Sequence, residues 1–318
     1  MRPRIRLTTY CNRACAYCSA YDFLSKDNIQ EFNLEEYHFF LECAKKEGIS
    51  QIAWQGGEPT CHSQINRIAK ITSDYGINIH LFTNGIFDTS LIKPFKRIVS
   101  RCLVNLNHPD TYTASQLSLV RKNLKRMSSS GIGFHIGYNL FQKNPDYGFI
   151  LKAIEEYKIA NVRFDIARPS KYGSNRHFSF DDFFGLKEQV LKFIALCRFL
   201  GARAYLDCCW PRCVFNDEEI NFLKKAKAEL SFRCATTVDV LPGLRIDSCY
   251  CSVEVKDKFL GESFGFKDAL NFLKKEEDRL RWEVATDLKC VSCRWRKNKV
   301  CQGGCLGHAK LKNTKRSL

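Results

Sequence analysis

The sequence predicts an α/β protein: a partial (β/α)6 TIM-like barrel over residues 1–206, followed by a small cysteine-rich C-terminal domain over 207–318. Three observations carry this. Short apolar runs alternate with helical patterns through the first two thirds, the signature of a parallel sheet. About six such units fit within the first 200 residues, too few for a closed eight-fold barrel. Composition then shifts after residue 200 to a section rich in Cys, Lys and Gly.

Taken in order, Ile5-Arg6-Leu7-Thr8 reads as the first strand, ending in a cysteine-bearing loop. Asn33 starts the first helix, because Glu36 three residues later completes a capping box. Leu34, Tyr37, Leu41 and Ala44 follow at helical spacing, and Gly48 is the stop. Gln51-Ile52-Ala53-Trp54 is the second strand and enters Gly56-Gly57-Glu58-Pro59. Ile77 to Phe82, Cys102 to Leu106, Ile132 to Tyr138 and Val162 to Ile166 supply four more. Helical segments are expected between them, around 63–74, 88–97, 112–129 and 147–157, with the last near 182–200. Two further helices are expected around 216–229 and 266–283, and the basic tail after His308 reads as frayed.

Seventeen cysteines dominate the composition. The first residues lack the apolar stretch of a signal peptide, and no run of about 18 apolar residues exists to span a membrane. A cytoplasmic location is expected, and in a reducing compartment dense cysteines point to metal ligation rather than disulfides. The formal charge of +16 fits that reading, since metal-bound thiolates are negative and basic neighbours offset them. The same charge would also suit an acidic substrate or nucleic acid, and alone it decides neither.

Cys11, Cys15 and Cys18 have CxxxCxxC spacing at the end of the first strand. Three thiolates can hold three irons of a four-iron cluster and leave the fourth open to a small molecule; three-cysteine zinc sites share such spacing. Tyr17 precedes the third cysteine, and the second strand ends in Gly56-Gly57-Glu58-Pro59. With these residues the chain resembles the radical S-adenosylmethionine superfamily, whose signature is this triplet followed by a GGEP-type motif. The resemblance implies a [4Fe-4S] cluster on Cys11, Cys15 and Cys18, with S-adenosyl-L-methionine as cofactor. It implies methionine contacts from Gly56, Gly57 and Glu58, beside Tyr17 and Pro59. Family members also use polar residues at later strand ends, which points to Asn105, Asn107, Asn139 and Arg168; for each, ordinary strand-end polarity competes. Cys61, just past the turn, is a candidate hydrogen-atom donor to a substrate radical, against inert packing.

The C-terminal cysteines resemble the SPASM extension of that superfamily, which houses one or two auxiliary [4Fe-4S] clusters. Cys234, Gly243 and Cys249 match its opening pattern, and Cys290, Cys293, Cys301 and Cys305 its CxxC…CxxxC group. The pattern's final downstream cysteine is missing, and Cys209 and Cys213 can make up the number. The expected partition is Cys209, Cys213, Cys234 and Cys249 for one cluster and Cys290, Cys293, Cys301 and Cys305 for the other. Exchange between groups is allowed, with Cys208 able to replace Cys209 and Cys251 able to replace Cys249; one zinc-ribbon-like site is the alternative.

The resemblance implies hydrogen abstraction by a 5′-deoxyadenosyl radical, with oxidative modification or crosslinking of a peptide or protein as the leading reaction. Dehydrogenation or epimerisation of a small molecule, such as a sugar or antibiotic precursor, is the alternative. Partners implied are the substrate and an electron donor such as flavodoxin or ferredoxin. The first ligand falls at residue 11, so no separate leader-binding domain is expected ahead of it. A cluster- or zinc-stabilised nucleic-acid binder using Arg294 to Lys299 with Trp295 is the non-enzymatic reading. Offsetting of cluster charge explains those residues more simply.

Overall fold

A computed structural model describes residues 1–252, 255, 257–284 and 287–316. Strands and helices alternate through the first two thirds. They run β1 (Arg4–Arg6), α1 (Leu34–Lys46), β2 (Gln51–Gln55), α2 (Ile65–Asp74), β3 (Asn78–Thr83), α3 (Ile92–Ile98) and β4 (Val99–Asn105). Then come α4 (Ala114–Ser130), β5 (Phe134–Leu140), α5 (Gly148–Tyr157), β6 (Asn161–Ile166), α6 (Asp182–Phe199) and β7 (Arg203–Leu206). The capping box forms as expected: Asn33 Oδ1 accepts from the Glu36 N–H (2.8 Å), and Glu36 reaches back to the Asn33 N–H. The remainder contains α7 (Asp217–Lys225), β8 (Asp239–Leu241), β9 (Arg245–Asp247), α8 (Phe266–Glu283), α9 (Arg294–Lys297) and α10 (Leu306–Arg316).

All nine strands join one sheet in the order β7-β6-β5-β4-β3-β2-β1-β8-β9. Every neighbouring pair is parallel except the β8–β9 hairpin. β7 and β9 are the two edges, so the sheet stays open, as the six-unit reading implied. β7 is one strand more than the sequence suggested. It is only four residues long and alternates Arg-Ala-Tyr-Leu, a pattern too short to separate from the helix before it. The tail also differs from expectation, because residues 306–316 are helical rather than frayed; residues 317 and 318 lie outside the described residues.

Alternation along each strand sorts side chains onto two faces. Ile52, Trp54, Ile79, Leu81, Val104, Ile136, Tyr138, Val162 and Phe164 belong to the core with the helices. Trp54 meets Phe95 of α3 (6.1 Å between ring centres), and Phe164 meets Phe193 of α6 (4.6 Å). The opposite, inner face carries Arg4, Arg6, Gln55, His80, Arg101, Asn105, His135, Asn139, Arg163 and Asp165. This face is polar and set apart from the apolar core, several of its charges being met by buried ion pairs.

The C-terminal section returns to this sheet through β8, whose Asp239 pairs in register with Arg4. Asp239 is fully buried and takes Arg4 Nε, Arg6 Nε (2.9 Å), Arg6 Nη2 (2.7 Å) and Gln55 Nε2 (3.1 Å). Arg6 also lies 3.9 Å over the Tyr250 ring, whose hydroxyl donates to the Gly56 carbonyl (3.0 Å). Removing Asp239 would take the shared carboxylate from the buried Arg6 and the half-buried Arg4. Asp239→Ala is therefore expected to cost about 3–5 kcal/mol, read as a lowered urea midpoint. The exposed Lys70–Asp74 pair (2.9 Å) serves as the control, since Asp74→Ala should move the midpoint by less than about 1 kcal/mol.

Candidate cluster and cofactor site

The loop after β1 rests directly on the turn after β2. The Gly57 N–H donates to the Thr8 carbonyl (2.7 Å) and the Glu58 N–H to the Tyr10 carbonyl (2.8 Å). A Cβ on Gly57 would stand 1.9 Å from the Tyr10 oxygen, and one on Gly56, at φ +141°, 2.6 Å from the Thr8 oxygen. Both positions thus require glycine for closeness of backbone to backbone. Glu58 is buried inward. Its Oε1 accepts from Thr60 N (3.2 Å), Thr60 Oγ1 (2.7 Å) and Thr83 Oγ1 (2.8 Å), and its Oε2 from Asn84 N (2.7 Å). Burial raises its pKa against the pull of these donors. Spare acceptor capacity for an ammonium group lies on Oε2. Pro59 opens the short 3₁₀ turn Pro59–Cys61, in which the Asn12 N–H donates to the Cys61 thiol. Burial first, then Glu58, pushes that thiol up to about 12. Cys61 therefore sits against the cysteine loop.

Within the loop, Cys18 N–H donates to the Cys15 carbonyl (3.0 Å). Asn84 Nδ2 reaches Asn12 Oδ1 (2.7 Å) and Cys11 Sγ (3.8 Å). Burial, followed by Glu58, pushes the Cys11 thiol up to about 12, with Cys18 and Cys15 adding to the rise. Burial likewise lifts Cys18 to about 11, with Cys15 contributing. The three sulfurs thus share one electrostatic neighbourhood. Thiols held this high ionise at neutral pH when a metal takes up their charge.

Three of the four expected strand-end residues join Tyr17 in one hydrogen-bonded chain. Asn139 Nδ2 donates to Asn105 Oδ1 (3.3 Å), Asn105 Nδ2 to the Tyr17 hydroxyl (3.1 Å), and that hydroxyl to Asn107 Oδ1. Tyr17 stacks on Phe141 with ring centres 4.8 Å apart. The chain spans the C-terminal ends of β4 and β5 and ties them to the residue before Cys18. Arg168 stands apart from it. Its Nη2 donates to Asp165 (2.9 Å), and the other negative groups facing it are Cys208, Cys305 and Cys209.

Among the C-terminal thiols, Cys209 Sγ lies 3.2 Å from Cys234 Sγ, Cys249 3.5 Å from Cys251, and Cys251 3.9 Å from Cys305. Cys234 also feels Cys249, and Cys209 feels Cys305. Gln302 braces this group, its Nε2 donating to Cys234 Sγ (3.1 Å) and its Oε1 accepting from Cys234 N and Arg281 Nε (2.8 Å each). Cys213 faces Cys301, Cys290 and Cys293 instead, which add to the burial that pushes it up to about 11. With Cys305 lying by Cys251, this grouping differs from the one expected from sequence order. Cys208 joins neither group: its sulfur and the Asp165 and Asp207 carboxylates lie within 4.8 Å of one another. Each carboxylate there has its own arginine, Arg168 on Asp165 (2.9 Å) and Arg163 on Asp207 (2.8 Å).

Buried donors without partners mark where acceptor-rich groups belong. Among the described residues these include Arg13 Nη1 and Asn107 Nδ2, Arg168 Nε and Nη1, Trp210 Nε1, and Arg296 Nε. Arg13 is in the first cysteine loop and Asn107 is bonded to Tyr17; Trp210 follows Cys209, and Arg296 lies between Cys293 and Cys301. Anionic sulfide clusters bound at these thiols would supply the missing acceptors. The residues present fit them.

Asn84 and Gln302 are the functional candidates that the sequence reading passed over. Thr83-Asn84-Gly85 reads equally well as a turn, and a glutamine between two ligands carries no pattern of its own. The geometry gives a direct expectation for the first loop. Gly57→Ala should displace it and lower bound iron by about four per chain, counted with labile sulfide. Gly133→Ala, where a Cβ meets nothing within 4 Å, should leave iron unchanged.

Comparison with known proteins agrees with this site. The Radical SAM superfamily matches residues 5–163. The GTP 3′,8-cyclase of Campylobacter jejuni is 30% identical over 176 residues, covering 51% of this chain and 54% of that protein. The chain thus spans about half the length of that curated relative. The Aliarcobacter butzleri GTP 3′,8-cyclase is 22% identical over 308 residues, covering 89% and 92%. Among solved structures, SuiB of Streptococcus suis bound to S-adenosylmethionine superposes with a TM-score of 0.66 at 17% identity, over 96% of this chain and 73% of that one. The anSMEcpe structure with bound AdoMet and Cp18Cys peptide gives 0.64 at 17%, over 96% and 88%. At those identities the likeness is one of fold. The family match takes in half of the chain, including the cysteine triplet and the Gly56–Glu58 turn, and the chain belongs to the radical SAM superfamily.

Proposed function

We propose that this chain is a radical S-adenosylmethionine enzyme that abstracts a hydrogen atom from a substrate held on the inner face of the sheet. The observation that carries the reading is the three-thiol loop locked onto the Gly56–Glu58 turn. When bound there, a four-iron cluster with one iron free of protein supplies the electron that cleaves S-adenosylmethionine to methionine and a 5′-deoxyadenosyl radical. The chain's own residues do the rest. Oε2 of Glu58 and the turn's backbone offer acceptors to the methionine ammonium. The Tyr17–Asn105–Asn107–Asn139 chain offers donors and acceptors for the remaining polar groups of the cofactor.

Peptide or protein modification is the leading substrate reading, as oxidation or crosslinking. Its support is the open edge between β7 and β9, through which an extended chain can reach the inner face. The fold is also shared with anSMEcpe bound to a peptide and with SuiB bound to its precursor peptide SuiA. The C-terminal thiols serve in this reading as ligands of auxiliary clusters, which when bound would accept the electron left after hydrogen abstraction. An external one-electron donor such as flavodoxin or ferredoxin completes the cycle. A second reading, a small anionic molecule, is favoured by the charges on the inner face. Arg101 is exposed there, beside His80 in the cross-strand register, whereas Arg4 and Arg163 on the same face are already paired with Asp239 and Asp207. The curated relatives are named for GTP.

Anaerobically reduced protein should release 5′-deoxyadenosine from S-adenosylmethionine. Cys15→Ala should lower that yield at least about 100-fold, since even partners beyond the ligands are worth 10–100-fold in metal sites. Absence of any product from the unaltered, iron-loaded protein would sink the enzyme reading. Short cysteine-containing peptides should stimulate product formation; stimulation by GTP or polyols alone would transfer the assignment to the second reading.

A further inference from the structure

The inner face changes character along its strands. At their C-terminal ends lie the thiol loop, the Glu58 turn and the chain from Tyr17 to Asn139. Toward the N-terminal ends the face turns basic. Alternation along the first segment puts Arg2 on the side of Arg4 and Arg6. In the cross-strand register Arg4 pairs with Ala53, Ala53 with His80, and His80 with Arg101. His135 follows on β5, its Nδ1 3.3 Å from the Tyr205 hydroxyl.

Charges around this region are answered, with two exceptions. Asp239 takes Arg4 and Arg6, Asp207 takes Arg163 through two nitrogens (2.9 and 2.8 Å), and Glu229 takes Arg203. Among the described residues, Arg2 and Arg101 have neither an ion pair nor a side-chain hydrogen bond. They nevertheless face each other: burial, then the Arg101 charge, holds Arg2 below its ordinary pKa. His80 lies against both. It is 6% exposed, and its buried Nδ1 has no partner. Burial first, then Arg2, Arg101 and His135, holds its imidazole down to about 3, so the ring is neutral at pH 7. The charged and titratable groups facing Arg2 and His80 are Arg4, Arg101, His135, Tyr205 and Asp207, none of them a thiol. Clusters on the cysteines therefore leave this want of an acceptor unmet. Two guanidiniums and an orphaned ring nitrogen brought together this way call for an anion between them.

We propose that this basic end of the sheet binds a phosphoryl group, held by the guanidiniums of Arg2 and Arg101 with His80 Nδ1 as the buried third donor. Two unanswered positive charges match a phosphate dianion, whereas one carboxylate neutralises only half of them. Each guanidinium fork fits a pair of phosphate oxygens, and a further oxygen is left for the imidazole N–H. Asp207 stays on Arg163 and bounds the site on the β7 side. Arg2 and Arg101 are exposed, so the group is reached from solvent while its deep side meets His80. The occupant is free phosphate or the phosphate end of a larger molecule. In a molecule that spans the face, this anchor lies four residues along β4 from Asn105, about 13 Å at the rise of a parallel strand. The site uses none of the thiols and goes beyond the radical reading.

Calorimetric titration of the iron-loaded, full-length protein with inorganic phosphate at low ionic strength tests the site. One phosphate per chain should bind. Arg101→Gln and Arg2→Gln should each weaken it about 10–100-fold, the worth of a lost charged hydrogen bond. Arg97→Gln removes the same charge from an exposed position on α3 and should leave the affinity unchanged. Equal weakening in Arg97→Gln would reduce the effect to net charge and overturn the site, as would no binding by the unaltered protein. Acetate displacing phosphate at equal concentration would overturn the choice of a phosphoryl group. Phenyl phosphate binding as tightly as phosphate upholds the site and assigns it to the end of a larger molecule; exclusion of phenyl phosphate upholds it for the free ion. Release of 5′-deoxyadenosine without phosphate binding sinks this site alone. Phosphate binding by iron-loaded protein that releases no 5′-deoxyadenosine sinks the radical reading alone.

Discussion

No atom fits between Gly57 and the Tyr10 carbonyl, and the rest of the site is built on that contact. Because the turn after β2 lies flush against the loop after β1, two backbone hydrogen bonds lock one to the other. The loop in turn carries Cys11, Cys15, Cys18 and Tyr17. Glu58, buried beneath, ties the same turn to the end of β3 through Thr83 and Asn84. Asn84 closes the circuit by reaching Asn12 and Cys11. Three strand ends are thereby fixed relative to three thiols. Such rigidity matters for radical chemistry, where a reactive fragment must meet one hydrogen and no other.

Charge organises the remainder. The inner face is crowded with arginines, and a carboxylate or thiol from a distant part of the chain faces most of them. Asp239 answers Arg4 and Arg6, Asp207 answers Arg163, and Asp165 answers Arg168. These pairs are costly to bury singly and hold their elements together once made. Through Asp239 the C-terminal section becomes part of the sheet instead of an appendage. Through Arg168, whose remaining donors look toward Cys208, Cys209 and Cys305, the same logic extends from the barrel to the auxiliary thiols.

The cysteine-rich section shows what connectivity in sequence conceals. Eight candidate ligands in tidy spacings suggested two clusters formed from neighbours along the chain. Two glycines at positive φ and one proline turn the relevant segments, so that Cys209 lies by Cys234 and Cys305 by Cys251. Gln302 then links the regrouped thiols to Arg281 on α8. A spacing reports which residues can reach one metal, whereas the turn between them decides whether they do.

By itself the sequence determined the alternating α/β order, the six central strands, nearly every helix, the first thiol triplet and the turn beneath it. Those features are local: apolar periodicity, capping residues, and motifs whose glycines and cysteines answer to short-range geometry. Tertiary structure alone decided that β7, β8 and β9 complete the sheet, that Tyr17, Asn105, Asn107 and Asn139 join in one chain, and that Arg168 faces the auxiliary thiols. It also decided which C-terminal thiols are neighbours, Cys209 with Cys234 and Cys251 with both Cys249 and Cys305. Each of these depends on contacts between residues far apart along the chain, where a short edge strand or a single polar side chain leaves no periodic trace. Packing of the whole sheet brings them together, and only then do their charges and hydrogen bonds select one arrangement.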